Sequence, residues 1–130
     1  MDLTPLVTAP PAVQWHVATI LPAAVLGAVQ LSRRKGIASH RVLGYLFVAL
    51  MLGTCVSAYF IRTPAGGFSW IHIFIPATIV ELALGFWFLW RGNIRGHQVM
   101  MLFICIASIG IAGALTFLPG RIMQQIFFGG

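Results

Sequence analysis

Acidic residues are almost absent from this chain. Asp2 and Glu81 are the only two among 130 residues, and charged residues of both signs make up just 8% of the composition. Soluble domains carry about 25% charged residues. With 59% hydrophobic residues and a mean hydropathy of +0.95, the composition excludes an ordinary soluble globular fold.

Cysteine is equally scarce. The two cysteines, Cys55 and Cys105, both lie in apolar stretches, where a free cysteine usually acts as a small apolar side chain. The sequence also lacks a nucleotide-binding glycine loop, a Ser/His/Asp arrangement and a cysteine metal cluster. These absences argue against the corresponding enzyme and metal-binding classes.

Four apolar runs dominate what is present, and each is close to the ~20 residues that cross a hydrocarbon core. Backbone groups in lipid must be satisfied internally, which predicts helices, and short linkers predict antiparallel neighbours. We therefore predict one all-α integral membrane domain over residues 1–130, a four-helix up-down-up-down bundle. Its spans are expected at about 13–31, 40–61, 71–90 and 97–118, followed by a short interfacial tail at 119–130.

The basic residues that give the formal charge of +6 lie in or near the predicted turns and after the last span. Two basic residues lie in the second turn or after the last span, Arg62 and Arg121, and six lie in or beside the first and third turns: Arg33, Arg34, Lys35, Arg41, Arg91 and Arg95. The positive-inside rule then places turns one and three in the cytoplasm. We expect a multipass protein of the bacterial inner membrane with both termini outside the cytoplasm, lipid as its surroundings and no nucleic-acid partner.

Each apolar run carries one histidine at its N-terminal end: His16, His40, His72 and His97. The predicted topology places His16 and His72 near the outer surface and His40 and His97 near the inner one. The two pairs are about 25–30 Å apart, which excludes a single four-histidine site. Two axial imidazoles, with the other ligands supplied by a macrocycle, are the coordination of a b-type haem. The simpler alternative is that each histidine is an interfacial polar residue.

A second pattern concerns the residue eleven positions after each histidine. Eleven residues of an ideal helix turn through about 1100° and rise some 16 Å, so this residue shares the histidine's face at the depth of the other pair. The four residues are Gly27, Met51, Ala83 and Ser108. Three are small, as a flat ring pressing on a helix requires, although small residues are common in membrane helices anyway.

Glu81 lies near the middle of the third run, and an intramembrane carboxyl group is a functional candidate by default. It is predicted to be a proton relay or a quinone contact, or else a protonated group bonded to Ser57, Thr54 or Tyr59. A related expectation concerns the arginines near the inner pair, which could pair with haem propionates or with lipid head groups. They are Arg34, Arg41, Arg91 and Arg95.

Four segments carry a resemblance to a known family: QLSRRKGIASHRVLGYL, FSWIHIF, RGNIRGHQ and FLPGRIM. Together they resemble small bacterial multipass proteins described only as predicted membrane proteins of unknown function (DUF2306). More distantly, the plan of one histidine per helix resembles the four-helix di-haem core of cytochrome b561. That resemblance implies an outer haem on His16 and His72 and an inner haem on His40 and His97. The spacings here are shorter than in that class, and its flanking helices are missing.

These features favour transmembrane electron transfer by two b-type haems, with quinone or a redox protein as partner and an oxidoreductase activity as one outcome. A non-catalytic accessory subunit of a larger membrane complex is the alternative, in which the histidines and Glu81 only join helices. A transporter that moves protons through the same residues is a third hypothesis.

Overall fold

The computed structural model describes residues 1–33, 35–61 and 70–129, so Arg34 and Arg62 of the topology prediction lie outside the described residues. Over this part the chain is helical, with no strand. The helices are α1 (Thr4–Val7), α2 (Pro11–Ser32), α3 (Ala38–Phe60), α4 (Phe74–Trp90), α5 (Ile94–Leu115) and α6 (Ile122–Phe128).

Three of these helices, α2, α3 and α5, are long and apolar enough to cross a membrane. The fourth apolar helix, α4, has 17 residues because the predicted span from residue 71 begins with a 3₁₀ turn, Trp70–Ile73. Pro76 explains the break, since it has no N–H to bond the carbonyl of His72 and its ring would clash with that carbonyl in a continuous α-helix. Starting α4 at Phe74 places Pro76 in the first turn, where proline is tolerated.

The helices pack mainly as two hairpins. α2 lies against α3 and α4 lies against α5, while α3–α4 contacts and contacts from α2 to the middle of α5 join the hairpins. A small buried cluster lies between them, formed by Ala23, Phe47, Met51, Leu82 and Ile104.

Large apolar side chains cover the outside of the molecule. Val25 is 63% exposed, Val42 67% and Trp90 81%. Water would penalise this surface by about 25 cal/mol per Å², whereas lipid tails solvate it without that penalty. The exposed apolar surface is therefore what lipid-facing helices require.

α5 begins earlier than the predicted residue 97 and contains an irregular middle. The side chain of Asn93 accepts a hydrogen bond from the Gly96 amide at 2.9 Å, which caps the helix and lets it begin at Ile94. Residues Ile104–Ile111 are π-helical, a wider turn that often marks a functional region of a helix.

The two ends of the described chain lie together. The Asp2 amide donates to the Ile126 carbonyl at 3.0 Å, α1 packs on α6, and Ile126 is 3% exposed. The Thr4 hydroxyl and, to a lesser extent, the Thr4 amide donate to the Asp2 carboxyl and lower its pKa. The predicted tail therefore contains a helix that packs on the first residues of the chain.

Candidate functional site

The inner pair of histidines faces one shared space. His40, in the first turn of α3, and His97, in the first turn of α5, both line a cavity of about 690 Å³. Specific small-molecule and cofactor sites are clefts of about 300–1,000 Å³. The structure thus brings together two histidines that are 57 positions apart in the sequence.

His97 is held in one orientation by the neighbouring helix. Its Nδ1 atom lies 2.9 Å from the carbonyl oxygen of Gly85 on α4. A carbonyl oxygen only accepts hydrogen bonds, so Nδ1 carries the proton and Nε2 keeps its lone pair in the neutral ring. Metal-ligating histidines almost always show this arrangement, with the second ring nitrogen donating to a carbonyl or carboxylate.

The ring of His40, unlike that of His97, is not held by a hydrogen bond from its Nδ1 atom. Its Nδ1 atom is buried and has no hydrogen-bond partner, while its main-chain carbonyl accepts from Gln30 Nε2 at 2.8 Å. Most buried polar side-chain atoms have a partner, and an exception needs an explanation. The described residues supply no such partner for His40 Nδ1.

Two basic side chains also line the cavity, Lys35 and Arg41, and neither of the two acidic residues does. The cavity is therefore suited to an apolar ligand that carries carboxylate or phosphate groups. Of the other arginines singled out from the sequence, Arg95 lines a neighbouring groove with Ile94 and Val99. Gln98 and Leu102 line both the groove and the cavity.

The residues eleven positions after the first two histidines are buried. Gly27 lines the inner cavity, and a Cβ atom there would lie 3.1 Å from Cys105 Sγ and 3.3 Å from Phe47 Cε2. Met51 is 1% exposed and belongs to the core. Gly27 thus allows a close approach of α2 to α3 and α5 at the cavity wall.

The third helix departs from the eleven-residue rule. Ala83 is exposed, and His72 lies in a 3₁₀ turn, which advances by about 120° per residue and not by the 100° of an α-helix. The predicted shared face of His72 and Ala83 assumed a continuous α-helix, which the structure does not have.

The outer histidines both bond to the C-terminal part of α3. His16 Nδ1 lies 3.3 Å from the Thr54 carbonyl oxygen and 3.4 Å from Ser57 Oγ. His72 Nε2 lies 2.6 Å from the Ile61 carbonyl oxygen. These hydrogen bonds attach α2 and the start of α4 to the same helix end.

Glu81 belongs to a polar cluster between α4 and α5. Ser108 Oγ donates to Glu81 Oε2 at 3.2 Å, and Thr78 Oγ donates to Ser108 Oγ at 2.5 Å. Thr78 and Ser108 are 2% and 9% exposed. The observed partner of Glu81 is thus Ser108, whereas Thr54 and Ser57, which the sequence suggested, bond within the contact between α2 and α3.

Sequence reasoning missed several residues of this region, namely Gln30, Lys35, Thr78 and Gly85. Thr78 carried a usable signal, since it lies three residues before Glu81 and therefore on the same helix face. Gly85 carried none, because its role depends on which helix packs against it.

A bare metal site is not formed by the described residues, which contain no group of three or more histidine, cysteine, aspartate or glutamate side chains suited to a metal ion. Two histidines suffice only for a group that brings its remaining ligands with it. His40 and His97 alone therefore do not complete the coordination of a metal ion.

Comparison with known families agrees with the membrane character of the chain. A family model described as "Predicted membrane protein (DUF2306)" matches residues 13–127. The chain belongs to this family. The part of the chain matched to DUF2306 contains all four histidines and Glu81, and the chain is a membrane protein with transmembrane helices. No curated protein and no solved structure matches the chain significantly.

Proposed function

We propose that this protein binds b-type haem and transfers electrons across the bacterial inner membrane, with a quinone or a redox protein as its partner. One observation carries the proposal: His40 and His97, from two different helices, line the same cavity. Bound haem would supply one-electron chemistry, and the protein would supply axial ligands, burial and nearby charge.

The residues of the inner cavity fit such a group. His97 offers Nε2 while its Nδ1 donates to Gly85, and His40 lines the same cavity from α3. Phe47 and Phe86 supply apolar walls, and Lys35 and Arg41 supply positive charge for carboxylates.

The proposal includes a second haem on His16 and His72 near the outer surface. In support, His16 Nδ1 donates to the Thr54 carbonyl and leaves the lone pair on Nε2, as in His97. His72 donates its Nε2 to the Ile61 carbonyl, so it would bind through Nδ1. The two sites would then lie at opposite membrane surfaces, so that an electron can pass from one to the other across the bilayer.

The proposed topology is a four-helix up-down-up-down bundle, with α4 and its preceding 3₁₀ turn as the third span. Seventeen helical residues rise about 26 Å, and 17 is the lower end of the range for a span. The basic residues of the α2–α3 and α4–α5 turns would lie in the cytoplasm, and both termini would lie outside.

An optical spectrum of the purified protein tests the function. After expression with added haem precursor, we expect the dithionite-reduced form to show the bands of a low-spin b-type haem. The double variant His40→Ala, His97→Ala should lose the inner haem. As a control, Gln98→Ala alters a residue that lines the same cavity and should keep both haems. A parent protein without haem would contradict the proposal.

A structural role is the second candidate, because a specific observation favours it. Three of the histidines, His16, His72 and His97, bond to main-chain carbonyls of neighbouring helices. Such bonds alone stabilise membrane helix contacts by about 0.6 kcal/mol on average. A haem-free parent whose histidine variants are destabilised would favour this accessory-subunit function.

A further inference from the structure

We infer that Gly85 is a positioning residue for His97: its carbonyl oxygen selects the ring nitrogen of His97 that faces a bound metal group. The inference rests on the proposed function, since it describes how the inner site prepares its ligand. It concerns a glycine on α4 that acts through its main-chain carbonyl, because glycine has no side chain.

The first observation is the close contact of α4 with α5 at this point. Gly85 is buried, and a Cβ atom built there would overlap Met101 Cε and lie 3.8 Å from His97 Nδ1. Because Gly85 has no Cβ, the two helices approach closely enough for its carbonyl to meet His97 Nδ1 at 2.9 Å.

The second observation is that the turn before α5 fixes the start of that helix. Asn93 Oδ1 accepts from the Gly96 amide at 2.9 Å, and the His97 amide donates to the Asn93 carbonyl at 3.1 Å. A Cβ atom on Gly96 would lie 2.7 Å from the ring of Phe88 on α4. Two glycines and one capping asparagine thus hold His97 at a fixed height beside Gly85.

The chemical consequence follows from the hydrogen bond. With the proton on Nδ1, the neutral ring presents Nε2 as its only lone pair. A ring nitrogen that donates to a carbonyl makes the imidazole a stronger metal ligand, which would favour the ferric state of an iron held there. His40, whose Nδ1 has no partner, is not oriented in this way.

The test compares Gly85→Val with Gly113→Val. The valine methyl groups introduced by Gly85→Val would extend from a Cβ that already lies 3.8 Å from His97 Nδ1, whereas nothing lies within 4 Å of the corresponding Cβ at Gly113 in α5. Both changes put a β-branched residue into a helix, so their cost in helix propensity is matched. Gly85→Ala is a milder variant, because the end of the flexible Met101 side chain can move aside.

The measurements are haemin titration and redox potentiometry of the inner site, defined as the haem lost in His40→Ala. Loss of a partner outside the ligand shell typically costs about 10- to 100-fold in metal affinity. We expect a fall of this size and a higher midpoint potential in Gly85→Val, a smaller effect in Gly85→Ala and none in Gly113→Val. A Gly85→Val protein with inner haem unchanged in affinity and potential would overturn the inference and leave the haem function standing.

A measurement without haem separates the inference from the proposed function. In ¹⁵N-histidine-labelled protein, the nitrogen shifts of His97, assigned with His97→Gln, report which ring nitrogen carries the proton. We expect protonated Nδ1 in the parent and a mixed population in both Gly85 variants. A protonated Nε2 in the parent would overturn the inference even if haem binds, while protonated Nδ1 in a protein that never binds haem would contradict the proposed function alone.

Discussion

Ser108 and Glu81 are joined by a hydrogen bond of 3.2 Å between α5 and α4. Glu81 is one of only two acidic residues, and Ser108 lies inside the π-helical part of α5. Thr78 completes the cluster by donating to Ser108. The carboxyl group thus has polar partners at a depth where an unpaired charge is costly.

The first prediction concerns the chemistry of Glu81. Gln at position 81 keeps the acceptor oxygen for Ser108 but does not titrate. If Glu81 only joins helices, Glu81→Gln should change the rate of quinone-linked haem re-oxidation by less than a factor of about two, and this is the expected result. A much slower rate, with the haem content intact, would show that Glu81 delivers protons.

The second prediction concerns the stability that the cluster contributes. Ser108→Ala removes the donor to Glu81 and leaves Thr78 Oγ without its acceptor. Hydrogen bonds between membrane helices are worth about 0.6 kcal/mol on average and up to about 1.7. We expect Ser108→Ala to lower the free energy of unfolding in mixed micelles by an amount within that range. Ala107→Ser, one residue away, adds a hydroxyl without removing this bond and serves as the control.

The third prediction concerns haem pairing. His72→Ala should remove about half of the haem and leave the spectrum of the other centre in place, because the proposed topology puts the two pairs near opposite surfaces. His40→Ala should remove the other half of the haem and leave the spectrum of the first centre in place. Loss of the same spectral centre in both variants would mean that the histidines do not form two separate sites.

The fourth prediction compares two arginines. Arg41 lines the inner cavity, while Arg95 lines the neighbouring groove and not the cavity. We therefore expect Arg41→Gln to weaken haemin binding at the inner site and Arg95→Gln to leave it unchanged, with haemin titration as the measurement. Equal weakening by both changes would point to general surface charge as the cause.

The fifth prediction concerns orientation in the membrane. An alkaline phosphatase fused after residue 130 should be active in the periplasm, and a fluorescent protein fused there should be dark. Fusions placed in the α4–α5 turn after Gly92 should behave in the opposite way. The reverse pattern would exchange the inner and outer histidine pairs.

Much of the helix pattern was predictable from the sequence because it depends on apolar length. The first two spans were expected at 13–31 and 40–61, and α2 and α3 extend over Pro11–Ser32 and Ala38–Phe60. The other two were displaced by local chemistry. Pro76 shortens the third helix, and the Asn93 cap starts the fourth three residues early.

The candidate site was predictable only in part. One histidine per span placed His40 and His97 at the same depth, and the structure shows them in one cavity. Ser108 was not foreseen as a partner of Glu81, because depth alone does not tell which neighbouring helix faces a side chain. Gly85 was missed for the same reason, since its contact with His97 depends on the rotation of α4 against α5.

The small core implies that the helices of this protein are held together by different forces from those of a water-soluble protein. Its most apolar surfaces point outward, while polar bonds such as Thr54–Thr19, Ser108–Thr78 and His97–Gly85 run between the helices. Lipid tails are as apolar as leucine, so burial of apolar surface contributes little to pulling these helices together. Cohesion rests on close contacts at small residues and on interhelical hydrogen bonds, so replacing one buried hydroxyl group should matter more here than trimming a large outward-facing side chain.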